Sequence, residues 1–398
     1  MAENGKFEVP GFQAAGIASG IKEDGRKDLA LLYSEAPAKA AGVFTTNVFK
    51  AAPVLLDLER IKSGTSRAVI INSGNANAAT GDEGYQDAVK MARFCAGALQ
   101  IDESQVLVAS TGVIGRKLPI DKVAGSVSRL VKGLSPDGIP EAAQAIMTTD
   151  RYPKIQFREG PVGGSDICVC GIAKGAGMIE PGMATLLSFV LTDADIDDQA
   201  MKRALREAVD QSFNAISVDG CMSTNDTVLI LANGLAGNRK IRTSTRDFAV
   251  FAGMLTEVMT ELAKSIVRDG EGATKLIEIV IEGAKTTGEA KAVAYQIARS
   301  NLVKTAFYGG DPNWGRVISA VGAAGVPING DAVELYFDGL PLFKQGRGIT
   351  SHLQELAEVM KKEQIKVLVK LGQGTKGFRV YSSDLTVDYV KINAHYTT

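Results

Sequence analysis

The sequence predicts an α/β layered fold built on mixed sheets. Three observations carry that prediction. Short apolar runs recur along the chain and read as strands. Helix-periodic stretches lie between them, in an order that is not a strict βαβα alternation. With 398 residues, 45% of them hydrophobic and 22% charged, the chain can bury a large core in two domains or one layered one.

Taken in order, the runs Val54–Leu56, Ala68–Ile71, Val106–Val108, Ile167–Ile172, Leu186–Leu191 and Val228–Leu231 read as buried strands. Leu276–Ile281 and Val367–Leu371 alternate better and read as half-exposed strands. Asp87–Leu99, Gln199–Phe213, Asp247–Val267 and Leu353–Met360 place apolar residues at i, i+3, i+4 and i+7, so they read as helices. Ser135–Pro140 and the polar, basic stretch Gly237–Asp247 are soft boundaries. Cys168 and Cys170 share one face of a strand and read as core, and the single tryptophan, Trp314, as a packing anchor.

Composition narrows the function. The net charge of −1 and the lack of a long basic run argue against nucleic acid. No apolar run reaches membrane-span length, and Met1–Lys6 lacks a leader's apolar segment. Four cysteines make no disulfide framework, and two histidines make a zinc cluster improbable. The expectation is a reduced, metal-free, cytoplasmic protein. Gly270–Lys275 is not a phosphate loop, because it lacks the last glycine in either register and follows a helix.

The stretch Lys174–Phe189 is the most informative. A loop of small residues ends at Ala184-Thr185 and an apolar run follows at once. A threonine hydroxyl is a weak nucleophile that needs a base. With histidine so scarce, the α-amino group of an N-terminal threonine can serve, its ordinary pKa being about 7.7–8.0. Cleavage before Thr185 would create that amine.

Lys174-Gly175-Ala176-Gly177-Met178-Ile179 with Met183-Ala184-Thr185 resembles the self-cleavage motif of the ornithine (glutamate N-) acetyltransferase family of arginine biosynthesis. The resemblance continues through Gly16–Lys22, Ala41–Asn47, Asn72–Asn77, Ser110–Gly115, Met147–Asp150, Ser223–Thr227, Asp269–Lys275, Gly310–Arg316 and, in part, Ile392–Thr398. Each motif is weak alone; in order, they are specific. The resemblance implies an αββα-type layered mixed-sheet fold like that of N-terminal-nucleophile and self-cleaving aminopeptidase-like enzymes. It implies cleavage at Ala184–Thr185 into fragments 1–184 and 185–398 that stay together, as a heterotetramer or other homo-oligomer of the pair. Thr185 then takes the acetyl group of N-acetylornithine and passes it to glutamate by ping-pong kinetics, without a cofactor. Some members also use acetyl-CoA as donor. Carried over by position, Thr185 is the nucleophile, Thr111 and Gly112 form the oxyanion pair, and Thr148 (preferred to Thr149), Lys174, Thr185, Glu271, Asn393 and Thr398 bind substrate. Lys174 suits a carboxylate and Glu271 an ammonium.

Two departures bear on specificity. Cys221 stands where the family often has aspartate, and the C-terminal segment carries His395 and Thr397 where others have Asp and Arg. His395 reads equally as a site residue or an exposed tail residue. Two other readings remain: a self-cleaving aminopeptidase, whose relatives use serine, and a non-catalytic binding protein, which would need a broken nucleophile or oxyanion motif.

Overall fold

The computed structural model describes residues 7–180 and 186–395. Its strands are β1 (Phe12–Ile17), β2 (Leu29–Phe44), β3 (Thr65–Asn75), β4 (Val106–Val113), β5 (Lys154–Val162), β6 (Ser165–Lys174), β7 (Leu187–Thr192), β8 (Ile216–Ser217), β9 (Thr227–Ala232), β10 (Leu276–Ala284), β11 (Glu334–Phe337), β12 (Leu340–Lys344), β13 (Arg347–Gly348), β14 (Gln364–Lys370) and β15 (Lys376–Ser383). The helices are α1 (Ala52–Arg60), α2 (Gly81–Leu99), α3 (Ile120–Lys132), α4 (Ile139–Ala145), α5 (Asp198–Gln211), α6 (Arg246–Arg268), α7 (Thr287–Ala298), α8 (Asn301–Tyr308), α9 (Trp314–Gly322), α10 (Leu353–Lys361) and α11 (Val387–His395).

Among the described residues the strands form two mixed sheets, as the sequence predicts. One has eight strands, in the order β4-β3-β2-β9-β7-β6-β5 with β1 added alongside β2; the other has seven, in the order β13-β12-β11-β14-β10-β15-β8. In the first, β3/β4 and β7/β9 run parallel and the remaining pairs antiparallel. Helices α5 and α6 share one apolar cluster with strands of both sheets, including Val190 and Ile230 of the first and Leu276 and Tyr381 of the second. A second cluster joins α7, α8, α9 and α10 to the second sheet, and Trp314 packs there with its ring 5.6 Å from that of Phe343. Cys168 and Cys170 lie in the core on the other face of the first sheet.

Two sequence expectations need correction. Val54–Leu56 is not a strand but the start of α1. Pro53 sits in its first turn, Val54 and Leu56 are buried, and Leu55 is 45% exposed. Proline pre-sets the helical φ at that position, and a three-residue run has no readable period. Leu276–Ile281 is almost wholly buried rather than half-exposed, because β10 lies between β14 and β15 with apolar layers on both faces. Gln364–Lys370 does alternate between buried and more exposed positions.

Candidate active site

The site is assembled at one end of the first sheet. Phe44, Thr227, Leu187 and Lys174 form one row of register partners across β2, β9, β7 and β6. The connection 175–186 therefore leaves the sheet and re-enters it at this row. Ala184, Thr185 and Thr398 lie outside the described residues. Leu186, which follows Thr185, donates its N–H to Asp226 Oδ1 at 3.0 Å and accepts from Thr227 N at 3.2 Å.

The strand predicted at Val106–Val108 runs on as β4 through Thr111 and Gly112 to Val113. Their pairing with β3 is irregular at Gly74 and Asn75, so the ladder bends there. Gly112 has φ +134°, and a Cβ on it would lie 2.3 Å from the Gly74 carbonyl carbon. Only glycine fits, so the irregular strand end fixes where Thr111 points. Asn225 braces this end by donating to Ser110 O at 2.8 Å and Ala76 O at 2.6 Å.

Thr111, Gly112, Thr148, Thr149, Lys174, Glu271 and Asn393 line one cavity. The end of β6 buries the Lys174 side chain, whose Nζ donates to Thr111 Oγ1 at 3.4 Å. Burial pulls its pKa down, while Asp150, Glu271 and Asp226 oppose that shift. Glu271 is held by two elements: Asn393 Nδ2 of α11 donates to Oε2 at 2.8 Å, and Glu271 N donates to Ala176 O at 2.9 Å. A Cβ on Gly177 would meet the Glu271 carboxylate at 2.5 Å, so the small-residue loop is what admits this side chain.

A buried ionic network joins the loops that carry these groups. Lys154 Nζ bonds Asp150 Oδ1 at 2.7 Å and Asp269 Oδ2 at 2.6 Å, and these side chains are fully buried. Asp150 also accepts from Gly175 N at 2.7 Å and Thr148 N at 2.9 Å. Burial would raise the Asp150 carboxyl, but Lys174 and Lys154 outweigh it and hold it below the ordinary range. One network thus positions the loops of Thr148, Lys174 and Glu271.

Other groups were given no site role by the sequence, or an open one. Asp219 lines the cavity and accepts from Met178 N at 2.6 Å, Ile179 N at 2.9 Å and Cys221 N at 3.1 Å. Burial pushes its pKa up, and Glu271 adds to that. Tyr389 also lines the cavity, and Cys221 does so from an exposed position, whereas His395 is exposed at the end of α11. Asp226 is fully buried, and burial drives its carboxyl well above the ordinary range. Asp226 lies inside the Ser223–Thr227 motif and Asp219 four residues before it, so that motif was the signal that could have flagged both as site residues. The cavity therefore offers one buried cation and two carboxylates around the strand that begins after Thr185, a charge set matched to an amino acid.

The ArgJ family model matches residues 13–398. The arginine biosynthesis bifunctional protein ArgJ of Geobacter sulfurreducens is 50% identical over 98% of this chain and 100% of its own length. That of Syntrophotalea carbinolica is 46% identical over the same shares. The crystal structure of the Bacillus halodurans protein is 42% identical with a TM-score of 0.51, over 52% of this chain and 98% of its own. With a family model spanning nearly the whole sequence and full-length relatives at this identity, the chain belongs to the ArgJ family.

Proposed function

We propose that this chain cleaves itself between Ala184 and Thr185, and that Thr185 then carries acetyl from N-acetylornithine to glutamate. The chain is an acetyltransferase of arginine biosynthesis; the proposal concerns how it works. The observation that carries it is the convergence of Thr111, Gly112, Thr148, Lys174, Glu271 and Asn393 on one cavity, where the connection bearing Thr185 rejoins the sheet. The Bacillus halodurans chain, matched over 98% of its own length, accounts for 52% of this one, as a chain processed in two would.

In the first step the Thr185 hydroxyl adds to the Ala184 carbonyl and displaces the amide nitrogen, giving an ester that water hydrolyses. The freed α-amine then serves as base. In transfer, Lys174 receives the substrate carboxylate and Glu271 the δ-ammonium. The Thr111 hydroxyl and Gly112 N–H face the oxyanion of the tetrahedral adduct. Ornithine departs, glutamate's amine attacks the acetyl-threonine, and acetyl-CoA, where accepted, loads the same hydroxyl.

A denaturing gel of wild type should show fragments 1–184 and 185–398, and Thr185→Ala a single inactive chain. An acid-quenched sample treated with N-acetylornithine should gain about 42 Da, one acetyl group, on the second fragment. Active wild type running as one intact band would overturn the proposal.

A further inference from the structure

We propose that Asp219 is a specificity-determining residue that lets one cavity take, in turn, an amino acid ending in ammonium and one ending in carboxylate, ionised for the first and protonated for the second. This rests on the transfer reading above, in which N-acetylornithine and glutamate use the same place.

The first support is a demand of the chemistry. Both substrates exchange acetyl at the α-nitrogen, so both present it alike, with the α-carboxylate at Lys174. Their side chains then run the same way. Ornithine's ammonium nitrogen and glutamate's γ-carboxylate oxygens stand equally many bonds from their α-carbons, so each end reaches the same spot. Glu271 suits the ammonium there and repels the γ-carboxylate. A group at that spot must change its charge between the two half-reactions.

The second support is geometry. Asp219 lines the cavity together with Lys174 and Glu271. The two carboxyls stand against consecutive residues of one loop: Met178 N donates to Asp219 Oδ2 at 2.6 Å, and a Cβ on Gly177 would meet the Glu271 carboxylate at 2.5 Å. Ile179 N and Cys221 N hold Asp219 Oδ1 at 2.9 and 3.1 Å. These amides fix the carboxyl without supplying a counter-charge. Burial pushes it above the ordinary range; the Met178, Cys221 and Ile179 amides oppose that shift, and the charge of Glu271 adds to it. Around the pair stand Tyr389 of α11, whose hydroxyl bonds Asp219, the Cys221 thiol, Lys174 of β6 beside Glu271, and the Lys304 ammonium of α8, which holds Val218 O at 2.7 Å. Glu180, next along the loop after Ile179, is paired with Arg299. A hydroxyl both donates and accepts, so Tyr389 serves either form of Asp219.

The exchange balances. Ornithine leaves with its ammonium, glutamate enters with its γ-carboxylate, and a proton passes from solvent to Asp219, which is only partly buried. The Asp219 O–H then donates to the γ-carboxylate. The proton returns to solvent when N-acetylglutamate departs and N-acetylornithine enters.

Asp219→Asn makes the group neutral at every pH. In a ping-pong reaction each substrate's kcat/KM reports its own half-reaction, and the ratio of variant to wild type cancels the substrate's own titration. The ratios are measured over about pH 6–9, where the carboxylates of both substrates are ionised. For glutamate the ratio should rise with pH, by up to about tenfold per unit, because only wild type must take up a proton. For N-acetylornithine it should fall to a plateau roughly 10–100-fold below wild type, because only wild type supplies the anion. A merely structural fault lowers both and leaves both ratios flat. Where Asp219→Asn fails to fold or to be processed, Tyr389→Phe leaves Asp219 and its amides in place and withdraws a donor from the carboxylate. Its glutamate kcat/KM should hold to a higher pH than that of wild type. A glutamate ratio that does not change with pH, or a Tyr389→Phe profile that coincides with wild type, overturns the assignment. Intersecting rather than parallel double-reciprocal lines for wild type overturn instead the ping-pong reading.

Discussion

Thr111 accepts from Lys174 Nζ at 3.4 Å, leaving its own hydroxyl hydrogen to be donated onward. Thr111→Val keeps the shape and deletes that donor. Because an oxyanion donor acts chiefly in the transition state, kcat should fall roughly 10²–10³-fold with KM nearly unchanged in steady-state assays. A rise in KM alone would make Thr111 a ground-state contact. Asp226 gives a second prediction, about stability. At a pH below the ordinary aspartate pKa, about 3.9, both folded and unfolded chains carry it protonated. As pH rises the unfolded chain ionises first, since burial raises the folded pKa, and the neutral side chain's stabilising margin is lost. In an uncut Thr185→Ala background, Asp226→Asn should therefore gain in melting temperature relative to Asp226 as pH goes from 4 to 8. A gap independent of pH would refute the buried neutral carboxyl. Lys174, Glu271 and Asn393 were legible because each falls in a recognisable motif. The roles of Asp150, although it closes the Met147–Asp150 motif, and of Asp219 were not: a loop carboxylate reads as solvated until the fold shows the amides aimed at it.

The elements around the site depend on Lys154 at the start of β5, whose ammonium is shared by Asp150 and Asp269. Lys154→Met removes the buried cation that the two carboxylates share, leaving Asp269 with only the exposed Arg151 guanidinium at 2.8 Å. Breaking a buried ionic cluster on one side costs about 3–5 kcal/mol, more than an exposed pair is worth. Denaturant unfolding should show that loss. Activity should fall beyond it, because the loops of Thr148, Lys174 and Glu271 lose their common tie. A variant within about 0.5 kcal/mol of wild type would count against the network. Long helices were well legible: α5, α6 and α10 match their apolar periods closely. Strand β2 was not, although it runs for 16 residues and joins both halves of the first sheet. Ser34-Glu35-Ala36-Pro37 interrupts its apolar pattern, and its pairing with β3 shifts between Tyr33 and Ala38. Proline cannot donate to a ladder, so a bulged bend is where a strand tolerates one.

At the scale of the molecule, the proposed cut does not divide two folding units. Residues 1–184 supply β1 to β6, and every strand of the second sheet comes from the later half. In the first sheet β9 lies between β2 and β7, and β7 between β9 and β6. Six register pairs join β2 to β9 and six more join β6 to β7, all of them across the two fragments. Removing 185–398 would leave β4-β3-β2-β1 and β6-β5 as separate pieces with no shared ladder. Each would expose a strand edge and an apolar face, the combination that drives edge-to-edge association. The sequence could not show this, since strand order is not written in local pattern. Three results should follow. Fragment 1–184 produced alone should be insoluble, and co-production with 185–398 should recover it. A tag on the first fragment should retain the second in equal amount through native washes and release it only in denaturant. Soluble, folded 1–184 on its own, or loss of the second fragment under native conditions, would show that the interleaved sheet is not what holds the halves together.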